Sequence, residues 1–215
     1  MAIEGDVLAV KDKLAPSANA LLDAAARVLA KRSAIDVSLN DISQESGLNS
    51  ALVKYYFGSK DGLLLALFSR DSAKAVAEMN HLVAAPMSPE AKIRIHISGA
   101  INTYVRTPYL NRLFHYLIDG GNEAVASSIS QQFGRPILDA QRAILAEGAR
   151  IGLFLRLDAE MLYFSLTGAC DFIFSSAGAI PALTEEPGIT DPLRKRYIAH
   201  VTDVFMTALL VPPAG

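Results

Sequence analysis

The sequence predicts an all-α protein in which a small N-terminal unit precedes a larger helical unit. Apolar residues recur at intervals of three and four along nearly every periodic segment, and no stretch alternates apolar and polar residues between hairpin turns. Hydrophobic residues make up 51% of the 215 residues and charged residues 20%, which is typical of a globular chain with a substantial core. Beyond the proline-containing stretch 84–92, the segments become longer and more apolar.

The first helix is predicted over residues 17–32. Pro16 stands just ahead of it, where the start of a helix tolerates proline. The apolar positions have helical spacing and are Ala18, Leu21, Leu22, Ala25, Val28 and Leu29. Residues 1–16 are expected to form a flexible N-terminal arm.

Two short helices joined by a glycine turn are predicted next. The Ser38 hydroxyl can accept a hydrogen bond from a first-turn amide, and Asp41, three residues later, favours the positive end of a helix. This second helix should end near Ser46. Gly47 provides the backbone freedom for a tight turn, and a third helix follows over residues 49–57.

The fourth helix is predicted over residues 59–83 and should belong to both units. We expect the small unit to span residues 17–64 and the larger unit residues 65–215. Further helices are predicted over residues 89–106, 108–119, 122–133, 135–151, 158–177 and 191–210, with a loop rich in proline and glycine at 178–192.

Composition excludes several classes of protein. Cys170 is the only cysteine, which excludes an internal disulfide, and no cluster of cysteines and histidines offers a closed zinc site. The start of the chain lacks the apolar run of a signal peptide, and no run reaches the roughly eighteen apolar residues of a membrane span. We therefore expect a cytoplasmic protein with no membrane partner, no metal and no other cofactor. Because the net charge is −2, any basic surface must be local.

The spacing of apolar positions between residues 42 and 56 favours a helix-turn-helix. Such a motif needs an apolar contact, a small residue where helices cross, a turn glycine and apolar residues that lock the second helix, and here these are Ile42, Ser43, Gly47, Leu48, Val53 and Tyr56. The outward side of the third helix then carries Asn49, Ser50, Ala51, Lys54 and Tyr55. Small polar residues permit close approach to base edges, whereas Lys54 and Tyr55 can reach phosphates. Lys60, in the first turn of the next helix, can hold a phosphate together with free backbone amides.

Residues 21–67 resemble the DNA-binding domain of the TetR family of transcriptional regulators. The resemblance is carried by Ser38-x-x-Asp41-Ile42, by Gly47 and by the run Tyr55-Tyr56-Phe57-Gly58-Ser59-Lys60. It implies that Ser38 and Asn40 approach the backbone or bases of double-stranded DNA. It further implies that the groove receives Ser50, Ala51, Lys54 and Tyr55, and that phosphates are held by Tyr56 and Lys60.

The sequence departs from the family at three of these positions. Lys54 stands where the family usually has tyrosine, Ser50 where it often has lysine, and Gly58 where it often has proline. Whether Lys54 reads a base or holds a phosphate therefore stays open, as does the operator sequence. Taken alone, Tyr56 also fits a core position, and Asp41 fits a helix cap.

Residues 147–174 resemble the C-terminal half of many TetR regulators, in which the last two helices pair with those of a second subunit as a four-helix bundle. Two stripes of small and apolar residues fit such an interface, although each also fits the core of a monomer. They are Ser165, Gly168, Ala169 and Phe172 on the penultimate helix, and Tyr197, Val201, Val204, Phe205 and Ala208 on the last.

The resemblance also implies an effector cavity between the middle helices. The residues that could line it, each of which also fits the core, are His96, Tyr104, Phe114, Leu117, Phe133, Ile137, Phe164, Asp171 and Phe174. Their apolar bias predicts a small hydrophobic effector. The implied function is that of a ligand-responsive, sequence-specific regulator that binds a palindromic operator as a homodimer, with repression as the family default.

Two alternatives remain beside a regulator. An enzyme is disfavoured because no catalytic signature surrounds the four scattered histidines, which are His81, His96, His115 and His200. A helical protein-interaction module without DNA binding is the second alternative, and the low net charge favours it slightly.

Overall fold

The computed structural model describes residues 15–120 and 122–212, and it is all-α as predicted. The chain divides into two compact units between Leu67 and Phe68, whereas the sequence predicted a boundary between residues 64 and 65. Most of the predicted N-terminal arm, residues 1–14, lies outside the described residues.

The N-terminal unit contains α1 (Pro16–Lys31), α2 (Leu39–Ser46), α3 (Ala51–Phe57) and the start of α4 (Lys60–Ala84). The predicted apolar face of α1 is buried and packs against α2 and α3. The other helices of this unit contribute further buried side chains, among them Ile42, Val53, Leu63, Leu64 and Leu67.

The predicted cap of α2 is confirmed. The Ser38 hydroxyl accepts a hydrogen bond from Asp41 N at 3.1 Å, and the Asp41 carboxylate accepts one from Ser38 N at 2.8 Å. Helix α2 ends at Ser46, and Gly47 follows with a φ of +70°. This left-handed conformation is open to glycine without the steric cost of a Cβ atom, which confirms the glycine turn.

The ends of α3 are fixed by two local contacts. Helix α3 starts two residues later than predicted, because Asn49 Oδ1 accepts a hydrogen bond from Ala51 N at 2.8 Å and so precedes the helix as a cap. At the other end, a Cβ atom on Gly62 would lie 2.0 Å from the carbonyl oxygen of Phe57. Only glycine therefore lets the first turn of α4 approach the end of α3 this closely.

The C-terminal unit contains the rest of α4 and is built around α5. The further helices are α5 (Pro89–Arg106), α6 (Leu110–Asp119), α7 (Glu123–Ile129), α8 (Arg135–Arg150), α9 (Ala159–Ser175), α10 (Ile180–Leu183) and α11 (Asp191–Leu209). Helix α5 packs against α8, α9 and α11. The buried core between them includes Ile93, Ile97, Ile144, Leu166 and Met206.

The helices predicted over residues 122–133 and 135–151 form one nearly continuous run. Helix α7 passes into a π-helical turn at Ser130–Gly134, and α8 starts directly after it. Pro136 gives a reason for the interruption, because its nitrogen has no hydrogen to donate to the carbonyl of residue 132.

Part of the predicted loop 178–192 is helical, which corrects the prediction. Helix α9 ends at Ser175, and a 3-10 turn at Ala177–Ala179 leads into α10. Pro181 lies in the first turn of α10, where proline is tolerated, so this proline begins a helix and does not mark a loop. No single described helix is long and apolar enough to cross a membrane, and α9 passes that test only together with Ala177–Leu183, across a bend of 54°.

Candidate nucleic-acid interface and ligand cavity

Helix α3 has one buried side and one exposed side. Val53 is completely buried, whereas Lys54 is exposed and Tyr55 keeps 78% of its surface accessible. Buried residues on one side hold the short helix in the unit, and the other side is left for contact with a partner.

The nine predicted DNA contacts differ in exposure. The exposed ones are Ser38, Asn40, Asn49, Ala51, Lys54 and Tyr55, and the half-buried ones are Ser50, Tyr56 and Lys60. The ring of Tyr56 packs edge-to-face on Tyr55 with 4.9 Å between centroids and lies 6.2 Å from the ring of Phe57. Tyr56 is thus partly a packing residue, and contact with DNA stays a prediction for all nine.

The two polar residues before α3 differ in what their side chains do. Asn49 Oδ1 is committed to the cap of the helix. The Ser50 side chain makes no capping hydrogen bond. The Ser50 hydroxyl is therefore not needed to hold the start of the helix.

Ion pairs join α1 to α2 and neutralise the cations of α1. Glu45 Oε1 lies 2.6 Å from Arg27 Nε, and Glu45 Oε2 lies 3.4 Å from Lys31 Nζ. These pairs position α2 against α1. In contrast, Lys54 forms no ion pair with any residue in the described part of the chain, so its charge is unmatched locally.

A second polar side chain, that of Arg32, stabilises the start of α2. Arg32 Nη2 lies 2.9 Å from Asp41 Oδ1. Hydrogen bonds from Ser38 and then from Arg32 lower the pKa of Asp41 to about 2. Asp41 is therefore ionised at neutral pH and caps α2. This agrees with the interpretation of Asp41 as a helix cap.

A cavity of about 350 Å³ lies within the C-terminal unit, bordered by α4, α5, α6, α8, α9 and the π-helical turn. Five of the nine predicted ligand residues border it, namely His96, Tyr104, Phe114, Phe133 and Ile137. At one end, the rings of Phe68, Phe114 and Phe133 form a cluster with centroid distances of 5.6 to 6.3 Å.

Three other predicted ligand residues do not border the cavity. Leu117 is only 3% exposed and belongs to the core. Phe174 packs against the ring of Tyr104, with 5.2 Å between centroids. Phe164 is 67% exposed, because helix α9 turns that side of its surface away from the core.

Asp171 likewise lies outside the cavity wall and belongs to a polar cluster. Its carboxylate accepts a hydrogen bond from Asn111 Nδ2 and lies 2.9 Å from His115 Nε2. Burial and then the charge of Asp171 raise the pKa of Tyr104 far above its usual range. The cluster thus links α6 to α9 beside a cavity residue.

Sequence reasoning missed the contributions of both α4 and α9 to the cavity. Helix α4 contributes Phe68, Ala75, Met79 and Leu82, and α9 contributes Tyr163, Leu166, Thr167 and Cys170. The spacing of seven, four and three residues along α4 is that of a single helix face, which could have indicated them.

His96 is a polar residue of the wall whose ring has a partner in the core. Its Nε2 lies 2.9 Å from Nε2 of Gln141, a side chain that is completely buried. Part of the His96 surface remains accessible because the ring borders the cavity. The surrounding protein nevertheless removes water from the ring and lowers its pKa to about 4, so the imidazole is neutral at physiological pH.

The predicted dimer residues fall into three groups. The exposed ones are Ser165, Gly168 and Phe172 on α9, and Val204 and Ala208 on α11. Ala169, Tyr197 and Phe205 are half-buried, and Tyr197 Oη donates to the carbonyl oxygen of Ala169 at 2.6 Å. Val201 is 4% exposed within the core between the helices, which favours the monomer-core alternative for this residue.

Two family models match the chain. The model described as "Bacterial regulatory proteins, tetR family" matches residues 21–67. The model described as "Tetracyclin repressor-like, C-terminal domain" matches residues 86–215. Together they cover both units.

Relatives at the sequence level match over a minor part of the chain. The regulator BetI of Brucella anthropi is 33% identical over 73 residues, which is 34% of this chain and 38% of that protein. BetI of Agrobacterium fabrum is 46% identical over 46 residues, 21% of this chain and 22% of that protein. The matches thus span well under half of these relatives.

Solved structures share the fold over most of the chain. The fatty acid degradation regulator FadR from Bacillus halodurans has a TM-score of 0.74 at 17% identity and covers 90% of this chain and 96% of that one. FadR from Bacillus subtilis, solved in complex with stearoyl-CoA, has a TM-score of 0.72 at 17% identity, over 88% of this chain and 98% of that one. With a helix-turn-helix ahead of a helical unit, and with both family models matched, the chain belongs to the TetR family of transcriptional regulators.

Proposed function

We propose that the chain is a homodimeric repressor that binds a palindromic operator through α3 and leaves the operator when a small hydrophobic effector occupies the cavity. The observation that carries the proposal is Lys54, which is exposed and forms no ion pair within residues 15–120 and 122–212, beside Tyr55 on a helix whose other side is buried. We infer that the protein acts in the cytoplasm by binding and not by catalysis.

The charge distribution supports contact with DNA at α3. The chain as a whole has a net charge of −2, so attraction of phosphate has to come from a local group of cations. On α1, Arg27 and Lys31 are paired with Glu45. Lys54 therefore offers a cation for a phosphate without first breaking an ion pair.

The exposed apolar side of α9 supports a dimer. Met161, Phe164 and Phe172 are 58%, 67% and 69% exposed, and their spacing of three and eight residues places them along one side of the helix. A run of large exposed apolar side chains favours an interface with a second protein surface. A second copy of this chain would supply the second recognition helix, about one DNA turn from the first.

The cavity supports an apolar effector. Most side chains of its wall are apolar, including the three-ring cluster of Phe68, Phe114 and Phe133. The Bacillus subtilis FadR structure holds stearoyl-CoA, and we take from it only that a protein of this fold can accommodate an acyl chain. Helix α4 is one continuous helix from Lys60 to Ala84, so it carries both a predicted phosphate contact and part of the cavity wall. Occupancy of the cavity can thereby bias the DNA-binding state.

Fluorescence anisotropy with DNA from upstream of the protein's own gene tests the first half of the proposal. We expect nanomolar, strongly salt-dependent binding to a fragment with an inverted repeat, and much weaker binding to the same fragment with one half-site scrambled. Equal, weak binding to both fragments would favour the interaction-module alternative.

Titration of the operator complex with a neutral apolar compound tests the second half. Saturation of the cavity should lower operator affinity by at least tenfold, as expected from a coupling free energy of about 1 to 3 kcal/mol. An unchanged affinity at saturation contradicts release by an effector.

A further inference from the structure

The described part of the cavity wall has no permanently charged cation that could hold an anionic ligand, and the histidine that borders it besides His96, His81, is exposed to solvent. None of the described residues that border it is lysine or arginine. Its one carboxylate, Glu78, is half-exposed and lies 3.7 Å from Lys74 Nζ and 3.6 Å from Arg106 Nη2, so this charge already has partners. A charged headgroup inside the cavity would lose its water without gaining a counter-ion, which is unfavourable.

His96 supplies a defined hydrogen-bonding group instead. In the orientation that the Gln141 amide adopts, its Nε2 faces His96 and can only donate, so Nε2 of His96 accepts at 2.9 Å, while Gln141 Oε1 is buried without a hydrogen-bond partner among the described residues. Burial without an acidic partner keeps the ring neutral, and a neutral ring with an unprotonated Nε2 carries its proton on Nδ1.

The Nδ1 group of His96 has no hydrogen-bond partner within residues 15–120 and 122–212. Nδ1 is not completely enclosed by the protein and keeps some accessible surface. The residue that carries it, His96, borders the cavity. An N–H group beside an apolar cavity costs free energy unless a ligand accepts its hydrogen bond.

We propose that the cavity selects an uncharged, largely apolar ligand with a carbonyl or ether oxygen, and that Nδ1–H of His96 donates a hydrogen bond to this oxygen. The proposal rests on the cavity being the effector site of the proposed function, and it does not depend on DNA binding. It makes His96 the residue that distinguishes ligands of equal apolar size.

Four probes of equal chain length test the proposal, with the full-length protein and without DNA. They are 2-undecanone, 2-undecanol, undecane and undecanoate, each measured by displacement of the neutral fluorophore N-phenyl-1-naphthylamine at pH 7.5. We expect the ketone to bind at least tenfold more tightly than the carboxylate. Tighter binding of undecanoate, or failure of all four probes to bind, overturns the proposal.

The role of His96 is tested by variants. His96→Leu should weaken binding of the ketone by about fivefold, the loss expected for one neutral hydrogen bond. The same variant should change the affinity for undecane by less than twofold. Because this variant leaves Gln141 without its partner, a double variant, His96→Leu with Gln141→Leu, replaces both polar groups by apolar ones and should show the same selective loss. His200→Leu, at an exposed histidine of α11, is the matched control and should change neither affinity. An equal ketone affinity in the wild type and both His96 variants contradicts the assignment.

Nitrogen-15 NMR of the histidine rings provides a measurement that needs no variant. We expect a neutral His96 ring with the proton on Nδ1, and a shift of the Nδ1 resonance when 2-undecanone is added. A proton on Nε2, together with a preference for 2-undecanol over the ketone, overturns the proposal in favour of a ligand that donates. Operator binding measured in parallel separates the two ideas, because a protein that binds its operator but shows no preference among the probes contradicts only this inference.

Discussion

Ser38 and Asp41 hold each other at the start of α2, since the backbone amide of each donates to the side chain of the other at 2.8 and 3.1 Å. This pair precedes the turn and the recognition helix, so it anchors the helix from which predicted DNA contacts Ser38 and Asn40 project. It also connects the stability of the N-terminal unit to pH.

The Ser38–Asp41 pair predicts a pH-dependent contribution to stability. The pKa of Asp41 falls from its ordinary value of 3.8 to about 2 on folding, so the ionised carboxylate stabilises the folded state above about pH 4. This contribution is lost as the pH falls from about 4 towards 2. The free energy of unfolding of Asp41→Asn should therefore be lower than that of the wild type at pH 7, and the difference should shrink at pH 2.5. A difference that is constant over this range contradicts the pKa assignment.

A buried lysine, Lys92, predicts that removing its ion-pair partner lowers the stability of the C-terminal unit. Lys92 is 3% exposed, and its Nζ lies 2.8 Å from Glu147 Oε2 and 2.9 Å from the carbonyl oxygen of Val83. Glu147→Gln should lower the free energy of unfolding by about 2 kcal/mol, less than for a fully buried pair because Glu147 is partly hydrated. Lys74→Met, which removes an exposed ion pair with Glu78, is the control and should cost about 0 to 1 kcal/mol in chemical denaturation.

The exposed side chain of Lys54, which has no ion-pair partner in the described part of the chain, predicts a phosphate contact. Lys54→Ala should weaken binding about equally for all sequences and flatten the slope of affinity against salt by about one unit. The measurement is operator and non-operator affinity between low and high salt, with Lys195→Ala on α11 as the control. If Lys54 reads a base instead, the variant will lose its preference at one position of the operator, at a cost of about 1 to 3 kcal/mol.

The exposed side of α9 predicts the dimer. Phe172 is 69% exposed, and Phe172→Glu places a charge where the second copy is expected to pack. Sedimentation velocity should show an increase of at least tenfold in the dimer dissociation constant. Val105→Glu changes an exposed apolar residue of α5 in the same way and should leave the dimer intact.

Substitution of a glycine in the cavity wall is predicted to give a regulator that no longer binds a ligand in the cavity. Gly99 borders the cavity, and a Cβ atom built there meets nothing within 4 Å. Gly99→Leu should therefore fill part of the cavity and weaken binding of N-phenyl-1-naphthylamine by at least tenfold, while operator affinity changes by less than twofold. Unchanged binding of the fluorophore would show that it occupies another site.

The sequence was most informative where a helix has one apolar side. The limits of α1 and α2, the Ser38 cap and the Gly47 turn follow from periodicity and from residue types with strong local preferences. Helix α9 is apolar on nearly all sides, so periodicity cannot tell which side meets the core. Phe164 was consequently assigned to the cavity although it is exposed. On α11, Val201 fitted both a dimer contact and the monomer core, and its burial favours the core.

The residues of the cavity could be predicted only in part from the sequence, for a related reason. His96 could be selected as a polar residue on an apolar helix, but its partner Gln141 is 45 residues away and was not foreseen. The distance between two such side chains is set by the packing of α5 on α8, which no local pattern encodes.

The π-helical turn at Ser130–Gly134 has a consequence for comparing relatives. A π turn closes its hydrogen bond over five residues where an α turn needs four, so it accommodates one extra residue within a helix. Removing that residue would return the turn to a regular α-helix and leave the phase of α7 and α8 unchanged, so only residues of the turn, among them Phe133 of the cavity wall, would be repositioned. Alignments of this family should therefore show single-residue gaps inside a helix here, accompanied by a change at the position of Phe133.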